Sequence, residues 1–320
     1  MSKKIKVWLI IATSLIILGA IVFTTALITA KGDFMKFSTS KFQNKDYQIT
    51  ENFNSISITD DITQIEILPS NDSNCLVKCY EHVNKYHLVS VKDQTLVIEL
   101  KDVRKWYEYI SINFHTPTLT IYLPQSEYDT LCVKNSTGNV KVQNAFTFNT
   151  VDISLSTGKI GCYANATQSL NIKTTTGSIN IEEISAGSIN LSVSTGKITA
   201  KNIDCVGNFE IKVSTGETFL KIVNCANLIS SGSTGDIELE KVIANDKFSI
   251  RRSTGDVEFN DCDAGEIFIE TSTGDVEGSL LSNKIFFVDT NTGRKDVPKT
   301  LTGGKCEITT DTGDIKITIE

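Results

Sequence analysis

Thr-Gly returns at a nearly fixed interval ten times along the second half of this chain. The glycines are Gly138, Gly158, Gly177, Gly196, Gly216, Gly235, Gly255, Gly274, Gly293 and Gly313, spaced 19 or 20 residues apart. A period that narrow and that persistent means an array of stacked units. Aligned on the glycine, the second residue after it is Val140, Ile160, Ile179, Ile198, Thr218, Ile237, Val257, Val276, Lys295 or Ile315. The seventh residue before it is apolar in every unit, from Leu131 to Cys306. The fifth before it is Val, Ile or Leu everywhere except at Ser230. Polar residues fill the places between. This is period-two alternation rich in β-branched residues, so each unit is two short strands with one buried face. A weaker apolar column follows seven residues after the glycine, with Ile184, Ile203, Val223, Val242 and Cys262.

One such unit cannot bury its apolar edge alone, whereas stacked coils can, each strand bonding to its equivalents above and below. The sequence therefore predicts an all-β chain built around a β-solenoid of about ten coils, a rod of roughly 45–50 Å at the spacing of paired strands. Glycine marks the corner because it enters positive φ without steric cost, and the Ser or Thr hydroxyls before it bond the backbone there. Cys162, Cys262 and Cys306 fall in apolar columns and read as core thiols. Cys205 and Cys225 each lie nine residues after their glycines and so stack in neighbouring coils. Both a disulfide and a buried thiol pair fit that position.

The start of the chain has a different character. Residues 7–30 contain no charge, and Lys3, Lys4 and Lys6 precede them. Twenty-four helical residues span about 36 Å, enough to cross a bilayer. The lysines favour a cytoplasmic N-terminus and an extracytoplasmic body. A cleaved signal peptide has a shorter apolar core; Ala26 and Ala30 are the positions where a cut would fall, and a signal anchor is the preferred reading. The organisation expected is a cytoplasmic stub at 1–6, a transmembrane anchor at 7–30 and a tether at 31–50. An irregular β region follows at 51–130, forming the first, irregular coils and capping the rod's end, and solenoid repeats occupy 131–320. The formal charge is −7, and the three leading lysines leave −10 on residues 31–320. Such a body is repelled by nucleic acid.

Two clusters of side chains are candidates for binding. Asp236, Glu238, Asp256, Glu258, Asp275 and Glu277 stand one and three residues after successive glycines, so all six point outward across three coils. Like charges opposite one another on a sheet repel. Either a divalent cation such as Ca2+ offsets that repulsion, or solvent and the nearby Lys241, Arg251 and Arg252 screen it. Beyond that Ca2+, no cofactor is indicated. The other cluster is Trp106, Tyr107 and Tyr109, readable as an exposed aromatic platform or as packing at the rod's end. An enzyme is not expected. The repeats hold neither His nor Trp, and His82, His87 and His115 lie upstream without ligand spacing. Stacked carboxylates alone do not make a glycosidase.

The segments "TIYLPQSEYDTLCVKNSTGNV", "STGDVE" and "VPKTLTGGKCEITTDTGDIKI" give residues 50–320 a resemblance to the bacterial putative-adhesin family, a domain-of-unknown-function group common in Gram-positive bacteria. The resemblance implies an extracytoplasmic β-solenoid at the cell membrane and carries over no catalytic residue. Two functions are compatible with it. One is an adhesive or scaffold surface toward wall polymer, glycan or protein. The other is a sensory or regulatory component of the cell-envelope stress response.

Overall fold

Ten units that each expose an apolar edge have to be stacked, and the chain stacks them. The computed structural model describes residues 2–33, 38, 40–110 and 113–320. Met1 of the expected stub, residues 34–37 and 39 of the expected tether and residues 111–112 of the aromatic segment lie outside the described residues. A single helix, α1 (Lys3–Thr29), comes first; it is long and apolar enough to cross a membrane, and none of its residues is buried.

Among the described residues seven strands precede the repeats: β1 (Phe42–Ile49), β2 (Ser55–Thr59), β3 (Gln64–Pro69), β4 (Cys75–His82), β5 (Lys85–Lys92), β6 (Thr95–Asp102) and β7 (Thr118–Leu123). The repeats begin with β8 (Glu127–Thr137), β9 (Val140–Val142), β10 (Thr147–Cys162), β11 (Asn165–Ala186) and β12 (Ile189–Cys205). They continue through β13 (Asn208–Thr234), β14 (Ile237–Thr254), β15 (Val257–Thr273) and β16 (Val276–Leu280). The last are β17 (Lys284–Thr292), β18 (Lys295–Asp296), β19 (Gly304–Thr312) and β20 (Ile315–Ile319). The result is the β-solenoid that the period requires.

Successive rungs pair parallel and in register, with Gly158 opposite Gly177, Gly177 opposite Gly196 and Gly196 opposite Gly216. The corner glycines have φ between +122° and +156°. A Cβ on Gly196 would also fall on the carbonyl oxygen of Gly177, so both conformation and close approach demand glycine there. A second corner has no such marker. Six residues after the glycine, Glu183, Asn202, Ile222, Lys241 and Asp261 all take φ of 53–56°, and their side chains have nothing in common. These corners let the chain turn just before the weaker apolar column seven residues after the glycine.

Chain order and stacking order part at both ends of the rod. At the C-terminal end β15 pairs on one face with β16 and on the other with β19; β19 then pairs with β17, and β20 lies between β16 and β18. The rung cornered by Gly313 is thus inserted between those cornered by Gly274 and Gly293. Composition explains the swap. Cys306, Ile308, Ile315 and Ile317 are buried, whereas the Gly293 rung carries Lys295 in an apolar column and leaves Ile285 and Phe287 exposed. The less apolar rung belongs at the end.

At the other end, β2 lies between β8 and β6, and β3 between β9 and β7. These upstream strands therefore add two parallel, in-register rungs to the rod, where irregular first coils were expected. The irregular part is the antiparallel closure: β5 on β6, β4 on β7, and β1 on β4. The expected tether is correspondingly shorter, because Phe42–Ile49 is β1. Its mostly polar sequence hides a strand whose work is to cover the open edge of β4.

The core is a continuous set of apolar columns, in which Ile160, Ile179, Ile198, Ile237, Val257 and Val276 are almost wholly buried. All eight cysteines, Cys205 and Cys225 included, are free thiols, seven of them buried. A charged side chain also enters the interior rungs. Arg252 is 5% exposed, and its Nη2 donates to Thr218 Oγ1 (3.3 Å) and Ser230 Oγ (3.1 Å). Thr218 and Ser230 are the two polar exceptions in otherwise apolar columns of interior rungs, so Arg252 accounts for both. Gly232 makes room for it, since a Cβ there would strike the guanidinium.

Candidate functional site

Stacking brings the outward carboxylates into two columns. Glu238 is opposite Glu258, and Glu258 opposite Glu277. The aspartates form a ladder through the corner amides. The Asp256 N–H donates to Asp236 Oδ1 (2.9 Å), Asp275 N–H to Asp256 Oδ1 (2.8 Å), and Asp314 N–H to Asp275 Oδ1 (2.7 Å). Arg294 N–H closes the column on Asp314 Oδ1 (2.8 Å), while its Nε and Nη2 donate to Asp314 Oδ2 (3.0 and 2.7 Å). Those Arg294 bonds hold the Asp314 carboxyl below its ordinary range.

Part of the expected repulsion is thus offset by backbone amides, one per rung. Asp314 joins the column from the inserted final rung, which chain order concealed. The glutamate column ends similarly, with Glu277 opposite Lys316. Of the three cations expected to screen these acids, Arg252 turns inward instead, because its position has core parity, and Arg251 pairs with Glu270 (3.2 Å).

The aromatic segment lies on a 3-10 turn, Trp106–Ile110, with Trp106, Tyr107 and Tyr109 all exposed. Arg104 sits 4.3 Å over the Tyr109 ring and is itself clamped to Asp102 (2.6 Å). Glu108 ties the turn down, accepting from Lys105 N–H and Asn84 Nδ2 at 2.7 Å each. The rings are therefore presented on an anchored turn, separate from the rungs that hold the acids.

A third cluster went unread in the sequence. Along β4 the inward side chains are Cys75, Val77, Cys79 and Glu81, and on β5 Lys85 and His87 point inward. His87 is 0% exposed and stands between two carboxylates. Its Nδ1 bonds Glu81 Oε2 and its Nε2 bonds Asp60 Oδ2, both at 2.8 Å. Its backbone N–H also donates to Glu81 Oε2 (2.7 Å). Asp60 is fixed in turn by the Asp61 N–H (2.6 Å) and the Thr63 hydroxyl (2.9 Å).

Burial alone would lower the His87 pKa, but hydrogen bonds with Asp60, Cys79 and Glu81 overcome it and hold it at about 11. Burial raises the Asp60 carboxyl, and the His87 bond and charge more than reverse that. Glu81 Oε1 is buried without a hydrogen-bond partner. Glu81 and His87 line a cavity of about 130 Å³, with Lys85, Arg104 and Tyr109 also on its wall. The signal in the sequence was parity: Glu81 and His87 occupy places where alternation calls for apolar residues.

With this geometry in hand, comparison with known proteins is informative about the family. The Toastrack DUF4097 profile matches residues 53–217 and 198–320. No curated protein matches the chain. Among solved structures, a putative adhesin from Bacteroides fragilis is 17% identical, with 88% of this chain and 99% of that one covered and a TM-score of 0.35. A putative lipid binding protein from Parabacteroides distasonis is 12% identical, with coverage of 74% and 97% and a TM-score of 0.44. A putative adhesin from the same organism is 15% identical, with coverage of 87% and 98% and a TM-score of 0.41.

Proposed function

We propose, from the premise that the chain belongs to the Toastrack DUF4097 family, that it is a non-catalytic rod anchored in the cell membrane by α1. Its body serves as an adhesive or scaffold surface toward cell-envelope or external ligands. One observation carries this reading: the outward acids repeat rung by rung, and the corner amides hold the aspartates in place. Repeated charge at about 4.8 Å intervals on a rigid face suits contact with a polymer better than capture of a small molecule. These carboxylates sit on an open sheet face, where water is not excluded as an acid–base pair in a catalytic cleft requires. The membrane would hold the N-terminal end while the rod reaches outward, with Ca2+ able to bridge the acids to an anionic wall polymer.

The test uses the full chain in detergent, co-sedimented with purified wall sacculi in calcium and in chelator. Wild type is expected to pellet in calcium and to stay in solution in chelator. Glu258→Lys with Glu277→Lys should abolish pelleting without loss of β circular dichroism, because those side chains lie outside the aspartate ladder. Failure of wild type to pellet in either condition would reject the adhesive reading.

A further inference from the structure

Three donor atoms of different chemistry meet inside the N-terminal end of the rod. Cys79 Sγ, a Glu81 carboxylate oxygen and a His87 ring nitrogen lie within 4.8 Å of one another, and all three residues are buried. The network around them is incomplete. Glu81 is 1% exposed, yet its Oε1 has no partner, a costly state for a buried carboxylate oxygen. Asp60 and Glu81 both face a single imidazole, so the cluster holds more acceptors than its one ring can satisfy.

We propose that Cys79, Glu81 and His87 form a transition-metal site suited to Zn2+, with the fourth position turned to the adjoining cavity and filled by water. A sulfur, a nitrogen and an oxygen donor together suit Zn2+ and do not suit the oxygen-only preference of Ca2+ or Mg2+. Zinc bonds of about 2.0–2.3 Å place tetrahedral ligands roughly 3.3–3.7 Å apart, so closing the site moves these atoms by about 1 Å or less.

Asp60 is the positioning residue. It holds Nε2–H and so leaves Nδ1 as the donor atom, and Asp60 is itself pinned by Asp61 and Thr63. The charge balances. Zn2+ enters, the Nδ1 proton and the Cys79 thiol proton leave, and the buried cluster keeps its net charge. Because Cys79 and Glu81 belong to β4 and His87 to β5, the ion would clasp the hairpin that closes the rod. The site is independent of the outward acids.

The test is Co2+ titration of the full chain in detergent, stripped by chelator and kept reduced. The expected result is saturation at about one ion per chain, with the intense visible bands of a tetrahedral site. A near-ultraviolet sulfur-to-cobalt charge-transfer band should appear with them, and Zn2+ should displace both. Cys79→Ser should lose the charge-transfer band, while Cys162→Ser keeps it. Asp60→Asn should keep the band but weaken affinity about 10–100-fold, as expected of a residue acting through the ligand. Weak octahedral-type bands, no saturable uptake, or a charge-transfer band surviving in Cys79→Ser would each overturn the proposal. The wild-type spectrum decides even if Cys79→Ser fails to fold.

Discussion

Arg252 in the middle of the rod and His87 in its N-terminal closure are both buried cationic side chains, and their surroundings treat them in opposite ways. Arg252, inside the repeats, meets two hydroxyls and no carboxylate; its Nε and Nη1 have no partner, and burial brings its pKa down to about 10. His87, inside the closure, meets two carboxylates, and its pKa is raised to about 11. The difference comes from architecture. In a repeat array each side chain inherits the environment of its column, so Arg252 is accommodated by single exceptions, Thr218, Ser230 and Gly232. Irregular antiparallel strands and the bend after β2 converge from different directions and can bring Asp60, Cys79, Glu81 and His87 to one point. Polar chemistry is concentrated where the repetition stops.

The largest test of that contrast removes the better-compensated cation. In metal-free protein, His87→Gln leaves two buried carboxylates without their counter-ion and should cost about 3–5 kcal/mol, read from denaturant melts. The pH dependence has a definite sign. With its folded pKa raised from 6.5 to about 11, His87 contributes stability fully present below pH 6.5 and lost as pH rises through 11. Asp60, with a lowered pKa, contributes stability present above its ordinary 3.8 and lost as pH falls. The wild-type melting midpoint should therefore fall between pH 7 and pH 10, and that fall should be smaller in His87→Gln. Equal slopes for the two proteins would mean His87 is not the titrating group.

Gly196→Ala probes the rod's own constraint. It sets a Cβ against the Gly177 carbonyl at φ +145° and should cost about 3 kcal/mol, spread to neighbouring rungs by the shared register. Arg252→Met should go the other way. An apolar side chain of similar length in place of a poorly paired buried cation should raise stability by about 1–2 kcal/mol. A loss in Arg252→Met as large as that in His87→Gln would erase the distinction between the two sites.

The contrast also explains what could be read from the sequence. Period, strand alternation, corner glycines and outward acids are column properties, legible because each is stated up to ten times. Asp314 was missed because the final rung is inserted out of chain order, although Lys295 and exposed Phe287 already mark the Gly293 rung as terminal. Arg252 looked like a screening charge because one residue's parity was outweighed by its acidic neighbourhood. Strand β1 is too polar to show itself, since it only covers an edge. The His87 cluster depends on a contact between Asp60 and His87, 27 residues apart, joining the bend after the parallel strand β2 to the antiparallel strand β5. Only the inward parity of Glu81 and His87 gave notice of it.

The second corner offers the smallest effect and the finest distinction. Ile222 holds φ at +55°, a conformation that costs a β-branched residue about 1–2 kcal/mol, and it is 42% exposed, so little packing offsets that strain. The equivalent residue one rung away is Asn202, a type that enters this conformation readily. Ile222→Asn should therefore stabilise the rod by about 0.5–1 kcal/mol, seen as a higher melting temperature with unchanged β circular dichroism. The same exchange at Ile203, in the buried column beside the corner, should destabilise strongly. If Ile222→Asn lowered the melting temperature, the column would be tuned by contacts of the side chain rather than by backbone conformation. The rod's tolerance of unlike residues at this corner would then need a separate cause in every rung.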